Sequence, residues 1–167
     1  MATKTRANDI LSDDLRSERE QIVELLTQAY WMEIETVMSY IANSVNLDGV
    51  RAEEIKKSLA ADIQDEVGHA QEFAKRIKTL YGKVPGSKEF KAEQSYLQPP
   101  ADNTDVVSVI KGVIKAEQGA IDHYSKIIST CSEADPVTAD MVTTILADEE
   151  GHMRLFEGFL KEYEKKS

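Results

Sequence analysis

The sequence predicts an all-α protein: an up-down four-helix bundle with one long crossover between its second and third helices. Three observations lead there. Four stretches carry apolar residues at alternating spacings of three and four, the period of a helix with one buried face. Short turn signals separate them except over residues 82–103, where Gly82, Pro85, Gly86, Pro99 and Pro100 break any helix. No stretch shows the period-two alternation of a strand.

Taken in order, residues 1–12 mix Thr, Lys, Asn and Ser without periodicity and read as a loose arm, and residues 13–167 read as the bundle. Asp13 or Asp14 can cap a first helix over about 14–45, with the stripe Ile22, Leu26, Ala29, Glu33, Thr36, Tyr40. Asn46-Leu47-Asp48-Gly49 is a turn short enough to make the next helix an antiparallel neighbour. The second helix, about 51–81, carries Leu59, Ile63, Glu66, Ala70, Phe73, Ile77 and Leu80, with Gly82 placed to close it as the C′ residue. The broken stretch that follows is long enough to run the length of a bundle, setting the third helix parallel to the second.

That third helix, about 104–131, has the stripe Val106, Ile110, Val113, Glu117, Ala120, Tyr124, Ile127. Ser132 to Asp135 is a short turn, with Asp135 as N-cap and Pro136 at the first position of a fourth helix over about 136–164. Val142, Ile145, Glu149, His152, Phe156, Phe159 and Tyr163 form its stripe, and the positive charge from Lys161 to Lys166 suits a helix C-terminus.

Composition narrows the function. The chain of 167 residues, 41% hydrophobic and 30% charged, fits one globular domain. No apolar run is long enough for a membrane span, and no apolar segment follows Lys4 and Arg6 as secretion would need, so a cytoplasmic protein is expected. One cysteine, Cys131, forms no internal disulfide and reads as a small buried residue at a helix end. A net charge of −10 argues against DNA as a partner and suits a protein that attracts cations.

Two copies of one motif carry the chemistry. Asp65-Glu66-Val67-Gly68-His69 reads D-E-V-G-H and Asp148-Glu149-Glu150-Gly151-His152 reads D-E-E-G-H. A Glu-x-x-His sets a carboxylate and an imidazole on one helix face, a turn apart. Upstream, Glu33 and Glu117 precede these glutamates by 33 and 32 residues, and each has a tyrosine seven residues later, Tyr40 and Tyr124. All four glutamates lie on core stripes that hold no Lys or Arg. A buried carboxylate without a partner costs several kcal/mol or takes up a proton. Two divalent cations would balance the four charges, and mixed carboxylate and imidazole ligands suit Fe or Mn and can hold Zn. Glu33, Glu66, His69, Glu117, Glu149 and His152 are therefore the expected ligands.

Around them, Asp65 and Asp148 are candidate acceptors for the histidines' second N–H, or ordinary helix acids. Tyr40 is a candidate hydrogen-bonding partner at the metals, whereas Tyr124 reads as a plain core aromatic. Glu35, Glu150 and His123 lie roughly 100–240° round their helices from the key glutamates and read as surface groups. Trp31 and Met32 fit either the core or an interface.

This set resembles the ferritin-like superfamily, and within it bacterioferritins and Dps-like ferritins with a bacterioferritin-type centre. The matching residues are Glu33 with Tyr40, Glu66-x-x-His69, Glu117-Gln118-Gly119-Ala120 and Asp148 to His152, over about 14–165. The resemblance implies a ferroxidase: two Fe(II) per chain oxidised by O2 or H2O2 at an intrasubunit di-iron centre, with Fe(III) mineral stored in a hollow homo-oligomer. Glu66 and Glu149 would then be shared between the irons, Glu33 and Glu117 terminal, and each histidine would serve one iron, with Tyr40 at the catalytic centre.

Val67 stands where the haem-ligand methionine of bacterioferritin would be, which argues against haem at the usual site. The short stretch after His152 leaves no fifth helix, pointing to a shell of 12 subunits rather than 24. Three other readings use the same bundle: a rubrerythrin-like peroxidase, a manganese catalase, and a purely structural metal site.

Overall fold

The computed structural model describes residues 9–131 and 133–165, and it is all-helical over them, with no strand. Four long helices are present: α1 (Arg16–Asn46), α2 (Glu53–Thr79), α3 (Val106–Cys131) and α4 (Pro136–Tyr163). α1 packs chiefly on α2 and α3 on α4, and the two pairs meet face to face.

The interior is two apolar clusters with a polar layer between them. One contains Ile22, Leu26, Phe73, Ile77, Tyr124, Ile127, Val142 and Ile145. The other contains Tyr40, Leu47, Ile55, Leu59, Val106, Ile110, Val113 and Phe156. Chain direction follows from which cluster each helix meets first. α1 and α4 pass from the first to the second, while α2 and α3 pass from the second to the first. The second and third helices are therefore parallel, as the long crossover requires.

Local chemistry sets the helix ends. Asp13–Leu15 form a 3-10 turn rather than the start of α1, which begins at Arg16. The arm expected over 1–12 lies outside the described residues up to residue 8; beyond it Ile10 is buried, and Arg19 Nη1 donates to the carbonyls of Ile10 (2.8 Å) and Ser12 (2.7 Å). α2 closes in a Schellman motif, Gly82 N–H to Ile77 O at 2.8 Å and Tyr81 N–H to Lys78 O at 3.1 Å. The left-handed residue is Tyr81, at φ 64°, and not the expected Gly82. Gly82 serves a different need, since a Cβ there would lie 2.7 Å from Val23 Cγ1.

Asp135 caps α4 as expected, accepting from Thr138 N–H at 3.0 Å, with Pro136 at the first turn. Asp135 also accepts from Arg76 at 2.6 Å, which ties the end of α2 to the start of α4. Ser132, in the preceding turn, is outside the described residues. Cys131 is fully buried, and burial followed by the nearby Asp135 pushes its thiol up to about 12.

The crossover is strapped to α1 and α3. Two 3-10 turns, Ser87–Glu89 and Ser95–Leu97, punctuate it. Tyr96 approaches α3 so closely that a Cβ on Gly112 would lie 2.6 Å from its carbonyl oxygen. Asn43 donates to Leu97 O at 2.8 Å. Glu35 corrects an expectation. It is buried, and its carboxylate accepts the N–H of Glu93 (2.9 Å) and of Gln94 (2.7 Å). A turn of loop thus covers a helix face that would otherwise meet water. Glu35→Ala leaves two backbone donors without an acceptor and should lower stability by about 2–3 kcal/mol, read as a drop in the denaturation midpoint with the helical circular-dichroism spectrum retained.

Candidate metal centre

The four stripe glutamates meet in the polar layer. Glu33 on α1, Glu66 on α2, Glu117 on α3 and Glu149 on α4 are each almost wholly buried. His69 is buried and His152 nearly so. Two overlapping groups have ligand atoms all within 4.8 Å of one another: Glu33, Glu66, His69 and Glu149, and then Glu66, Glu117, Glu149 and His152. Glu66 and Glu149 belong to both. The arrangement follows from the sequence repeat, because each half-chain supplies one glutamate and one Glu-x-x-His.

The halves interlock rather than standing side by side. Tyr40 on α1 donates to Glu117 Oε1 on α3 at 2.5 Å, and Tyr124 on α3 donates to Glu33 Oε1 on α1. Tyr124 is therefore no plain core aromatic. Burial, and then the adjacent carboxylate, holds both phenols well above their ordinary range, so they remain donors. The histidines cross in the same way. His69 Nε2 on α2 lies 3.3 Å from Asp148 Oδ2 on α4, and His152 Nε2 on α4 lies 3.8 Å from Asp65 Oδ2 on α2. Only the first of these is within hydrogen-bond range. Both Nδ1 atoms face the glutamates: His69 Nδ1 is 3.0 Å from Glu149 Oε1, and His152 Nδ1 is 3.6 Å from Glu66 Oε1.

These inward atoms are left without hydrogen-bond partners. Both carboxylate oxygens of Glu66, Oε1 of Glu149 and Nδ1 of both histidines have none. Buried polar groups in native proteins are nearly always satisfied. A cluster of five orphans aimed at one point is what a metal pair would satisfy, and the oxygen and imidazole donor set suits a first-row divalent ion. Among the described residues no Lys or Arg pairs with the four glutamates.

Charge in this layer is strained without a metal. Burial, then the neighbouring carboxylates, raises Glu33 and Glu117 well above the usual carboxylate range. Burial opposes charge on the histidines too, but the facing Glu149 and Glu66 outweigh it and raise His69 to about 10 and His152 to about 9. Burial likewise works against Glu149, and the two imidazoles bring it down to about 2. Bound cations would relieve the same carboxylate repulsion that helps to raise Glu33 and Glu117.

Two other placements depart from the sequence reading. His123, expected at the surface, is buried and within 2.9 Å of Leu25 O, away from the glutamates; burial lowers its pKa. Asp62 escaped the sequence reading. It is 7% exposed, its Oδ2 lacks a partner, and its Oδ1 lies 3.9 Å from His152 Nε2. Burial first, then Glu66 and Asp65, raises it to about 6, with His152 opposing. Its position four residues before Glu66 was the available signal. Glu150 is exposed as expected, and Trp31 is half-buried against Phe90, ring centroids 5.3 Å apart.

Known proteins share this helical fold. Residues 23–166 match the family model described as Ferritin, ferritin-like domain. The bacterioferritin of Desulfovibrio desulfuricans is 28% identical over 140 residues, which is 83% of this chain and 74% of that protein. Its crystal structure, described as showing the diiron site in different catalytic states, superposes with a TM-score of 0.74 at 26% identity, covering 87% of this chain and 81% of that one. A DNA protection during starvation protein of Pyrococcus furiosus is 28% identical over 146 residues, 84% of this chain and 77% of that protein. A dodecameric thioferritin, the bacterioferritin-related protein of Bacteroides fragilis, superposes with a TM-score of 0.80 at 26% identity, covering 87% of each chain. Among the described residues no helix is long and apolar enough to cross a membrane.

A pH dependence follows from the protonation pattern. The raised histidines stabilise the metal-free fold fully below about pH 6.5, the ordinary histidine value, and this is lost as pH rises toward about 9 and 10. Glu33 and Glu117, also raised, add loss in the same direction once pH passes the ordinary glutamate range. In chelator the melting temperature should therefore fall between pH 6 and pH 9. Saturating Co(II) should remove most of that fall, because binding displaces the same protons. Thermal melts at the two pH values, with and without metal, read this directly.

Proposed function

The chain belongs to the ferritin-like domain family, and from that premise we propose that it is a ferroxidase and iron-storage protein. The observation that carries the reading is the pair of overlapping ligand groups sharing Glu66 and Glu149. Such sharing fits two ions held side by side, with Glu66 and Glu149 bridging, Glu33 and His69 on one ion, and Glu117 and His152 on the other. Tyr40 and Tyr124 would hold the terminal glutamates in place, and Asp148 and Asp65 would orient the imidazoles.

The chemistry is a balanced electron transfer. Two Fe(II) give one electron each to hydrogen peroxide, which takes two protons and leaves as two waters; dioxygen is the alternative acceptor. The resulting Fe(III) moves on into a mineral core. Mn or Zn fits the same donors, but only a metal that changes oxidation state readily would exploit them in this way. Val67 offers no sulfur to a haem.

We assign a homo-oligomeric cage of 12 subunits, supported by the dodecameric relative whose length this chain largely spans. The net charge of −10 favours iron over DNA as the cargo.

Anaerobic loading with Fe(II), followed by O2 or H2O2, should give rapid oxidation in a large assembly that takes up far more iron than two atoms per chain. A small assembly that saturates at two metals and turns over peroxide repeatedly would replace storage by a rubrerythrin-like peroxidase or a manganese catalase. Glu66→Ala and Glu149→Ala should each slow Fe(II) oxidation at least ~100-fold, as loss of a metal ligand's supporting groups already costs ~10–100-fold. Rapid oxidation in both variants would sink the assignment.

A further inference from the structure

The metal centre is not open to solvent on its α1–α3 side, yet a large space lies just outside it. Beside Glu33, Glu66, Glu117 and Glu149 is an inner cavity of about 10 Å³, bounded also by Met32, Thr36, Gln94, Ala116 and Ala120. That is room for one water-sized molecule. Beyond it, between α1, α3 and the crossover, runs an outer groove of about 480 Å³ whose walls include Trp31, Glu35, Tyr96 and Gly119. Among the described residues only two line both spaces, Met32 and Gln94. Their side chains are the partition.

The partition is built for movement on a fixed frame. Glu35 clamps the backbone N–H of Glu93 and Gln94, so the loop itself is held. The Gln94 side chain, 4% exposed, is held by neutral contacts: its Nε2 donates to Thr36 Oγ1 at 3.0 Å and to Met32 O at a long 3.4 Å, and its Oε1 accepts from Thr36 Oγ1 at 3.3 Å. Met32 is unbranched and adapts its shape readily. Neither residue adds a charge to the inner cavity beyond the four glutamates, and Ala116 and Ala120 make part of its wall small and apolar. A small neutral molecule brings no charge that must be desolvated on the way in, and needs only that these two side chains give way.

We propose that Gln94 and Met32 form a size-selecting gate through which the small oxidant, O2 or hydrogen peroxide, passes from the outer groove to the metal pair. The proposal rests on the ferroxidase reading. Swinging the Gln94 amide away from Thr36 joins groove and cavity without moving any metal-ligand side chain. Bulkier peroxides are excluded by the same two side chains.

The test compares hydrogen peroxide with tert-butyl hydroperoxide on the full-length, Fe(II)-loaded protein by stopped flow. Each takes two electrons from two Fe(II) and two protons, giving two waters in the first case and tert-butanol plus water in the second. A second readout, independent of oxidation, is the rate at which azide alters the visible spectrum of the Co(II)-loaded protein. Gln94→Ala and Met32→Ala should each raise the rate with the bulky peroxide relative to hydrogen peroxide by ~10-fold or more, a barrier change of about 1.4 kcal/mol. Azide binding should quicken, while Co(II) stoichiometry stays at the wild-type value. Gln94→Asn, which retains an amide but shortens the side chain, gives the same direction should the alanine variant fail to fold. Unchanged peroxide ratios and azide rates in folded variants at both positions overturn the gate. If the wild-type protein oxidises no Fe(II) with either peroxide or O2, the ferroxidase reading fails, and the azide rates still decide whether Gln94 and Met32 control access.

Discussion

Four carboxylates are buried at one level of this bundle, and the rest of the structure answers to the cost of putting them there. An isolated buried carboxylate is unfavourable by several kcal/mol, and four together repel one another as well. Among the described residues no Lys or Arg pairs with them. The protein uses two phenol donors, two imidazoles, and a set of orphaned oxygen and nitrogen atoms that face a common space. The apolar clusters above and below have a complementary task. They supply the burial that holds four helices at the spacing where the carboxylates converge.

The repeat in the sequence explains why the support network crosses the bundle. If each half formed its own closed unit, Tyr40 would serve Glu33 and Asp65 would serve His69. Instead Tyr40 serves Glu117, Tyr124 serves Glu33, Asp148 lies by His69 and Asp65 by His152. On one helix, a residue seven positions after a glutamate stands two turns away, about 10 Å along the axis, too far to reach its own neighbour's carboxylate comfortably. Antiparallel α1 and α3 instead bring each tyrosine to the other helix's glutamate, and antiparallel α2 and α4 bring each histidine toward the other helix's aspartate. Neither half completes its ligand set alone, so the centre and the docking of α1–α2 on α3–α4 form together.

What could be read from the sequence was whatever repeats at the helical period. The stripes through Glu33, Glu66, Glu117 and Glu149 put four carboxylates into a core, and burial in the structure agrees at each. The crossover was legible from its prolines and glycines, and the parallel course of α2 and α3 follows from its length. Periodicity says little about partners on other helices or in loops, and the departures lie there. Tyr124 looked like a core aromatic because its acceptor, Glu33, is 91 residues away. Glu35 looked solvent-facing because the loop that covers it comes from residues 93 and 94. His123 looked exposed because the carbonyl of Leu25, which receives it, belongs to α1. Tyr81 took the left-handed position because Gly82 was needed where a Cβ would strike Val23.

The centre also has two unlike sides, which follows from how the ligands are distributed. Both histidines come from α2 and α4, and beside them stand Asp62, Asp65 and Asp148, the last two more than half exposed. That side presents negative charge close to solvent, where a hydrated cation loses least on approach. The α1–α3 side presents Met32, Thr36, Gln94, Ala116 and Ala120, closed off by the crossover. The groove outside it carries Glu24, Glu35, Glu89 and Glu93 with Lys91, but a cation passing between Met32 and Gln94 would have to shed its water, a large desolvation cost that a small uncharged molecule would not meet. The two substrates of a ferroxidase differ in the same respect, one being a strongly hydrated ion and the other neutral. On the proposed reading, both imidazoles and the exposed acids on α2 and α4, with the crossover strapped over α1 and α3, would separate their routes without a dedicated channel for either.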